Sequence, residues 1–278
     1  MSTFSDTTVP ATGFETEPYW LPQRDASEAI RRIDETLDLI SDAMSDLTGI
    51  SHQPARELSI VIPVRNQRDL LPKVLERLER LVLDAEILVV DDGSVDGTRE
   101  WLTELPPNPD RRVICRRATH GLGSAIRLGV RHSIGSVVAI QHVDGDYDPV
   151  DLARIVRPIL EGESKAVYGS HYLRGHRDTL AQRAMSWLAT TFSNVVTGSR
   201  LSEMDTVHKA FDGDLLRSIA LKEPGFGFES EITAKIASRV SQIREIPISS
   251  SSRECQRKKL AWQETLVAMG SSWRYRTG

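Results

Sequence analysis

The chain has 278 residues, 40% hydrophobic and 27% charged, with a formal net charge of −4. That length buries one large core, or one core and an appendage, and the balance excludes recruitment of nucleic acid by a global positive field. The charge is uneven: residues 1–49 carry ten acidic and three basic side chains, whereas residues 253–278 carry six basic and two acidic, which directs the C-terminal end towards an anionic partner.

Cys115 and Cys255 stand alone without metal-ligand spacing, as suits a reducing compartment. The acidic N-terminal stretch lacks the pattern of a signal peptide, and no run reaches the roughly 18 apolar residues of a membrane span. The expectation is a cytoplasmic protein, soluble or peripheral on the inner face of the membrane.

Residues 1–24 read as a disordered tail without periodicity. A helix and linker follow over 25–56. Asp25 and Glu28 form a start resembling a capping box, and Ile30, Ile33, Leu37, Ile40, Met44 and Leu47 recur at alternating spacings of three and four. Such a short seam serves either a helix docked on the main domain or a homodimer contact through residues 28–48.

The main domain, residues 57–278, opens on the apolar run Leu58–Val64, of the kind buried on both faces. The pattern then predicts a helix over 69–82 and strands over 87–90 and 112–115. A helix to 132, a strand over 135–140, a helix to 160 and a strand over 165–168 complete the alternation. It predicts an α/β fold with a mainly parallel sheet flanked by helices.

In such a sheet ligands bind beyond the carboxyl ends of the strands. Asp91 and Asp92 stand at one such end, within Val89-Val90-Asp91-Asp92-Gly93-Ser94-Val95-Asp96-Gly97-Thr98. A solvated turn, with Ser94 or Asp96 capping a helix over 97–105, accounts for the same residues. At a second strand end, His142, Asp144 and Asp146 gather three candidate ligands within five positions. Mg²⁺ and Mn²⁺ favour carboxylate oxygens and keep positions open for substrate phosphates. An EF-hand is excluded by the missing glycine and closing glutamate. The glycine pair of His120-Gly121-Leu122-Gly123 resembles a dinucleotide loop, but its third glycine and its strand context do not match. A metal-bound nucleoside diphosphate accounts for both acidic clusters together.

Three motifs, Ile60-Val61-Ile62-Pro63-Val64-Arg65-Asn66, the run from Val89 to Thr98, and Asp144-Gly145-Asp146-Tyr147-Asp148-Pro149, resemble the family-2 inverting glycosyltransferases of the A-type fold. Further motifs resemble the dolichol/polyprenyl-phosphate sugar synthase branch. These are Glu203-Met204-Asp205-Thr206-Val207-His208-Lys209-Ala210-Phe211, the run from Phe226 to Lys235, Glu245-Ile246-Pro247-Ile248-Ser249, Arg253, and Lys258-Lys259-Leu260-Ala261-Trp262.

The resemblance spans about residues 58–270 and implies a single A-type glycosyltransferase domain with an N-terminal helical extension. It implies that Pro63, Arg65, Asp91 and Asp92 hold the nucleoside of a UDP- or GDP-sugar donor. Asp144 and Asp146, with His142, would hold a divalent metal (Mn²⁺ or Mg²⁺) on its diphosphate. Arg253, Lys258 and Lys259 would bind phosphate, as guanidinium forks and ammonium groups can. The chain departs from the pattern in places. The family's first metal-motif aspartate falls on His142, its usual Tyr and Glu after the first strand are Arg65 and Gln67, and its Asp-Met-Glu order reads Glu203-Met204-Asp205.

A polyprenyl or dolichol phosphate acceptor is already ionised, its second pKa being about 6, and needs no base. A hydroxyl acceptor on a small molecule, glycan or protein needs a carboxylate to take its proton, and Glu203 and Asp205 are the catalytic candidates. A silent nucleotide-sugar-binding scaffold is the third reading. A helix over 179–196 carries Leu180, Ala184, Trp187, Leu188, Thr191, Phe192 and Val195 on one side, and Trp273-Arg274-Tyr275-Arg276 mixes aromatic with basic residues. Both stretches suit peripheral membrane contact or an ordinary core-facing helix.

Overall fold

The computed structural model of the chain describes residues 56–81, 83–143, 150–174, 180–204, 206, 208–225, 227–248 and 274–275, with the backbone alone at 150, 174 and 180–185. All of them belong to one compact unit, residues 53–278. The expected tail (1–24) and the helix with its homodimer seam (28–48) lie outside the described residues. So do Asp144, Asp146, Asp205, Arg253, Lys258 and Lys259.

The elements in chain order are β1 (Leu58–Val64), α1 (Leu71–Glu79), β2 (Ala85–Asp91), α2 (Thr98–Glu104), β3 (Arg111–Cys115), α3 (Leu122–His132), β4 (Val137–Ile140) and α4 (Val150–Leu160). There follow β5 (Ala166–Ser170), α5 (Leu180–Thr197), β6 (Lys209–Asp212), α6 (Gly213–Arg217), α7 (Phe228–Ala237) and β7 (Arg244–Pro247). The strands form one sheet in the order β3-β2-β1-β4-β6-β5-β7. Every neighbouring pair is parallel except those of β6, which runs against both β4 and β5. The expected α/β architecture is present. The antiparallel strand is what the alternation of strands and helices did not predict.

All seven residues of β1 are buried, because helices cover both faces of the sheet. Side chains alternate across a strand. Leu58, Ile60, Ile62 and Val64 therefore pack on one side with Val74 and Leu75 of α1 and Leu152 and Ile155 of α4. Val61 points the other way, among Ile126 of α3 and Phe228 and Ile232 of α7. Helix α3 can lie so close only because residue 129 is glycine: a Cβ there would stand 2.3 Å from Cγ1 of Val61.

Helix α2 starts on Gly97, at φ +88°. Asp96 stands just outside and accepts from the Thr98 N–H at 3.0 Å. Ser94 instead accepts from the Asn66 N–H at 2.9 Å, tying the loop after β2 to the loop after β1.

Candidate active site

The sheet topology brings the described candidates Pro63, Arg65, Asp91, Asp92 and His142 to one edge. β1 lies between β2 and β4, with Val64 level with Asp91 and Val61 level with Ile140. The chain therefore leaves all three strands on the same side. The reversal of β6 adds a fourth contribution. Its first residue, Lys209, pairs with Ile140 of β4 and Tyr168 of β5, so the residues leading into it arrive where the parallel strands end.

On the β1–β2 side the chain builds a wall. Asn66, at φ +54°, accepts from the Val95 N–H at 2.9 Å, and the Gln67 N–H donates to Thr98 Oγ1 at 3.0 Å. Pro63 is buried within β1 opposite Val90, whereas Arg65 is exposed on the rim.

Asp91 is fully buried and accepts from Arg99 Nε at 3.1 Å and from the Ser94 N–H at 3.2 Å. Asp92, also buried, accepts from the His120 N–H at 3.0 Å, the Gly121 N–H at 2.8 Å and Thr119 Oγ1 at 2.9 Å. The amides that resembled a dinucleotide loop are thus held by a carboxylate of the protein itself. Gly93 makes this clamp feasible, since at φ +76° a Cβ would stand 2.8 Å from the Ala118 carbonyl carbon.

On the β4–β6–β5 side lies a buried polar cluster to which the sequence reading gave no role beyond Glu203 and His142. Gln141 donates through Nε2 to its neighbour's carbonyl, His142 O, at 2.9 Å, and its Oε1 meets His208 Nε2 at 2.8 Å. Burial first, then the nearby rings of His142 and His171, lowers the His208 pKa from its ordinary 6.5 to about 3. Burial likewise lowers that of His142, with Glu229 opposing and Lys209 assisting. Both imidazoles are neutral near pH 7.

Lys209 is 1% exposed. Its ammonium is paired with the Glu229 carboxylate and lies 4.8 Å from the centre of the Tyr168 ring. Glu203 is equally buried, accepts from the His171 N–H at 2.8 Å, and stands 3.5 Å from His171 Nδ1. Glu245 accepts from the N–H groups of Ser202, at 2.9 Å, and Glu203, at 3.2 Å, and burial raises its pKa.

The fit of a metal rests on His142. Its Nε2 is buried with no hydrogen-bond partner among the described residues. A neutral imidazole with an unshared lone pair is a ligand for Mn²⁺ and a poorer one for Mg²⁺. Among the described residues no three acidic, histidine or cysteine side chains form a closed metal set. The carboxylates that would complete one, Asp144 and Asp146, lie two and four positions further on.

A shallow cavity of about 320 Å³, lined by Trp101, Leu105 and Arg111, lies by the start of β3 and the ends of α1 and α2. It is at the opposite edge of the sheet from these residues.

A mostly parallel seven-stranded sheet with one reversed strand, β6, entering at the edge where β1, β2 and β4 end is the A-type glycosyltransferase fold. Glucosyl-3-phosphoglycerate synthase from Mycobacterium tuberculosis, solved in complex with UDP, matches this fold with a TM-score of 0.61 at 20% identity, over 80% of each chain. The same enzyme has been crystallised with Mn²⁺, UDP and glucosyl-3-phosphoglycerate, and with Mg²⁺ and UDP.

Residues 59–216 match the glycosyl transferase family 2 profile, and the chain belongs to that family. It is 29% identical over 211 residues to the undecaprenyl-phosphate mannosyltransferase of Micrococcus luteus, covering 72% of this chain and 86% of that protein. It is 29% identical over 228 residues to the polyprenol monophosphomannose synthase of Mycolicibacterium smegmatis, covering 78% and 86%. The chain is a glycosyltransferase, and the silent-scaffold reading gives way to an enzyme.

Proposed function

We propose that the enzyme moves a hexose, mannose on the strength of the two named relatives, from a UDP- or GDP-sugar to a polyprenyl phosphate, with inversion at the anomeric carbon. The observation that carries this reading is the common edge at which β1, β2 and β4 end and β6 begins. On this reading the nucleoside lies on the β1–β2 side of that edge and the reacting phosphate on the β4–β6 side.

Pro63, Arg65, Asp91 and Asp92 are assigned to the nucleoside end. Arg65 would meet it directly, while the two aspartates hold the wall in shape. His142, Asp144 and Asp146 would hold a divalent cation, which when bound neutralises the leaving diphosphate as a Lewis acid. Arg253, Lys258 and Lys259 are assigned to phosphate. Glu203 and Asp205 are assigned to the acceptor side.

The buried pairing of Glu203 with His171 favours a positioning role for this carboxylate over that of a base, and a phosphate oxygen needs no base. In the hydroxyl-acceptor reading Glu203 or Asp205 would take the proton. Glu203→Gln separates the two, since it should keep most of its turnover with a lipid phosphate and lose it with a hydroxyl acceptor.

A thermal-shift series with UDP- and GDP-sugars, with and without Mn²⁺, tests the donor site. A ligand at a hundredfold its dissociation constant adds about 2.7 kcal/mol of stability. A shift requiring both nucleotide sugar and metal is expected. No shift with any donor would contradict the assignment.

A further inference from the structure

The aromatic–basic stretch at 273–276 suits a headgroup interface by composition, but Tyr275 is turned onto the protein itself. The Lys235 ammonium lies 4.5 Å from the centre of its ring, and its hydroxyl donates to Glu223 Oε1 at 3.1 Å. Arg274 Nη1 lies 3.4 Å from the same oxygen. Both targets belong to one piece of the fold. Lys235, in α7, donates to Ala220 O and to Glu231 Oε1. Glu231 is fully buried and accepts from the N–H groups of Lys222, at 2.8 Å, and Glu223, at 2.7 Å. Lys235 and Glu231 thus pin the loop 220–225 from within, and Tyr275 covers the lysine from outside. An ion pair kept from water in this way is stronger than one left open to it.

That loop abuts the nucleoside wall. The first N–H groups of a helix have no partner within it, and α3 begins without a side-chain cap. Its start is divided between two neighbours instead. The Gly121 N–H donates to Asp92 at 2.8 Å, and the Gly123 N–H donates to Pro224 O at 2.9 Å. One turn on, Arg127 Nη1 donates to Glu223 O at 2.9 Å. A Cβ on Gly121 would run into Pro224 O, and one on Gly123 into Glu223 O. Loop and helix start therefore touch backbone to backbone, with no side chain between them to absorb a shift.

We propose that Tyr275 is a positioning residue for the nucleotide half of the reaction. By holding the loop 220–225 it fixes the start of α3, whose amides shape the wall around Asp92. The inference rests on the donor assignment proposed above. It gives a residue more than 150 positions from that wall a part in donor binding, and it predicts an effect on the nucleotide that the acceptor does not share.

The test is calorimetric titration of the full chain with UDP and with GDP, each with Mn²⁺, beside hydrogen–deuterium exchange of the peptide spanning Thr119–Ala125. Tyr275→Ala removes ring and hydroxyl together. It should weaken binding of the favoured diphosphate about fivefold, as the loss of one hydrogen bond would, and speed exchange at 119–125 by about the same factor. The KM for a short isoprenyl phosphate should stay unchanged. Tyr275→Phe keeps the ring over Lys235 and should return both readouts to within about twofold of the wild type. Should Tyr275→Ala melt early, Tyr275→Leu, which keeps an apolar cover without the π face or hydroxyl, takes its place with the same expectation.

Unchanged exchange at 119–125 overturns the proposal. Faster exchange with unchanged diphosphate binding also overturns it, because Tyr275 would then serve the fold alone, and the donor assignment would stand. If the wild type binds neither diphosphate, the donor assignment falls and takes the proposal with it.

Discussion

Asp92 shows how a residue chosen for its position can serve the site indirectly. Its carboxylate is filled by the N–H groups of His120 and Gly121 and the hydroxyl of Thr119. Asp92→Ala strands these donors in a buried site and should cost about 3 kcal/mol in urea unfolding, far more than an exposed aspartate would. His208 offers a different measurement. Its ring takes a proton near pH 6.5 when unfolded but only at about 3 when folded. The unfolded state thus binds more protons across that window, and stability falls on acidification from about 6.5 towards 3, by up to roughly 1.4 kcal/mol per pH unit. His208→Gln removes this proton uptake, so its stability should decline less between pH 6.5 and 4 than that of the wild type.

Among the elements, those legible in the sequence were the ones whose burial needs no distant partner. β1, β2 and β4 are short apolar runs followed by turn residues, and their strand-end acids mark where a parallel sheet opens. β6 was not legible, because Lys209 and the preceding His208 argue against a buried strand. They become buriable only through Glu229, twenty positions later, and Gln141, sixty-seven positions earlier. The one local hint was the Ala210-Phe211 pair directly after the motif. α5 was half legible: its amphipathic period was plain, but which face met the core depended on contacts such as that of Thr190 Oγ1, which accepts from the Met204 N–H. Helix packing gives a further prediction. Gly129→Val places carbon where Val61 Cγ1 already lies, and overpacking of this kind should cost about 1–3 kcal/mol, read as a lower denaturation midpoint with an unchanged slope.

At the scale of the whole molecule, seven strands deliver two chemistries to one edge: a rigid, internally satisfied wall on the β1–β2 side and a buried imidazole–carboxylate–ammonium cluster on the β4–β6–β5 side. The acidic motifs predicted the first strand ends but not the cluster, since a motif names residues and only topology assembles them. The central claim is that sugar crosses this edge from a nucleotide to a lipid phosphate. The most direct measurement follows radiolabelled sugar from UDP- and GDP-donors into the organic phase with undecaprenyl phosphate, with Mn²⁺ and after chelation. The account predicts label in the lipid phase from one donor, lost on chelation and restored by Mn²⁺. Label that stays in the aqueous phase with every donor, while a nucleotide sugar still binds, would contradict it.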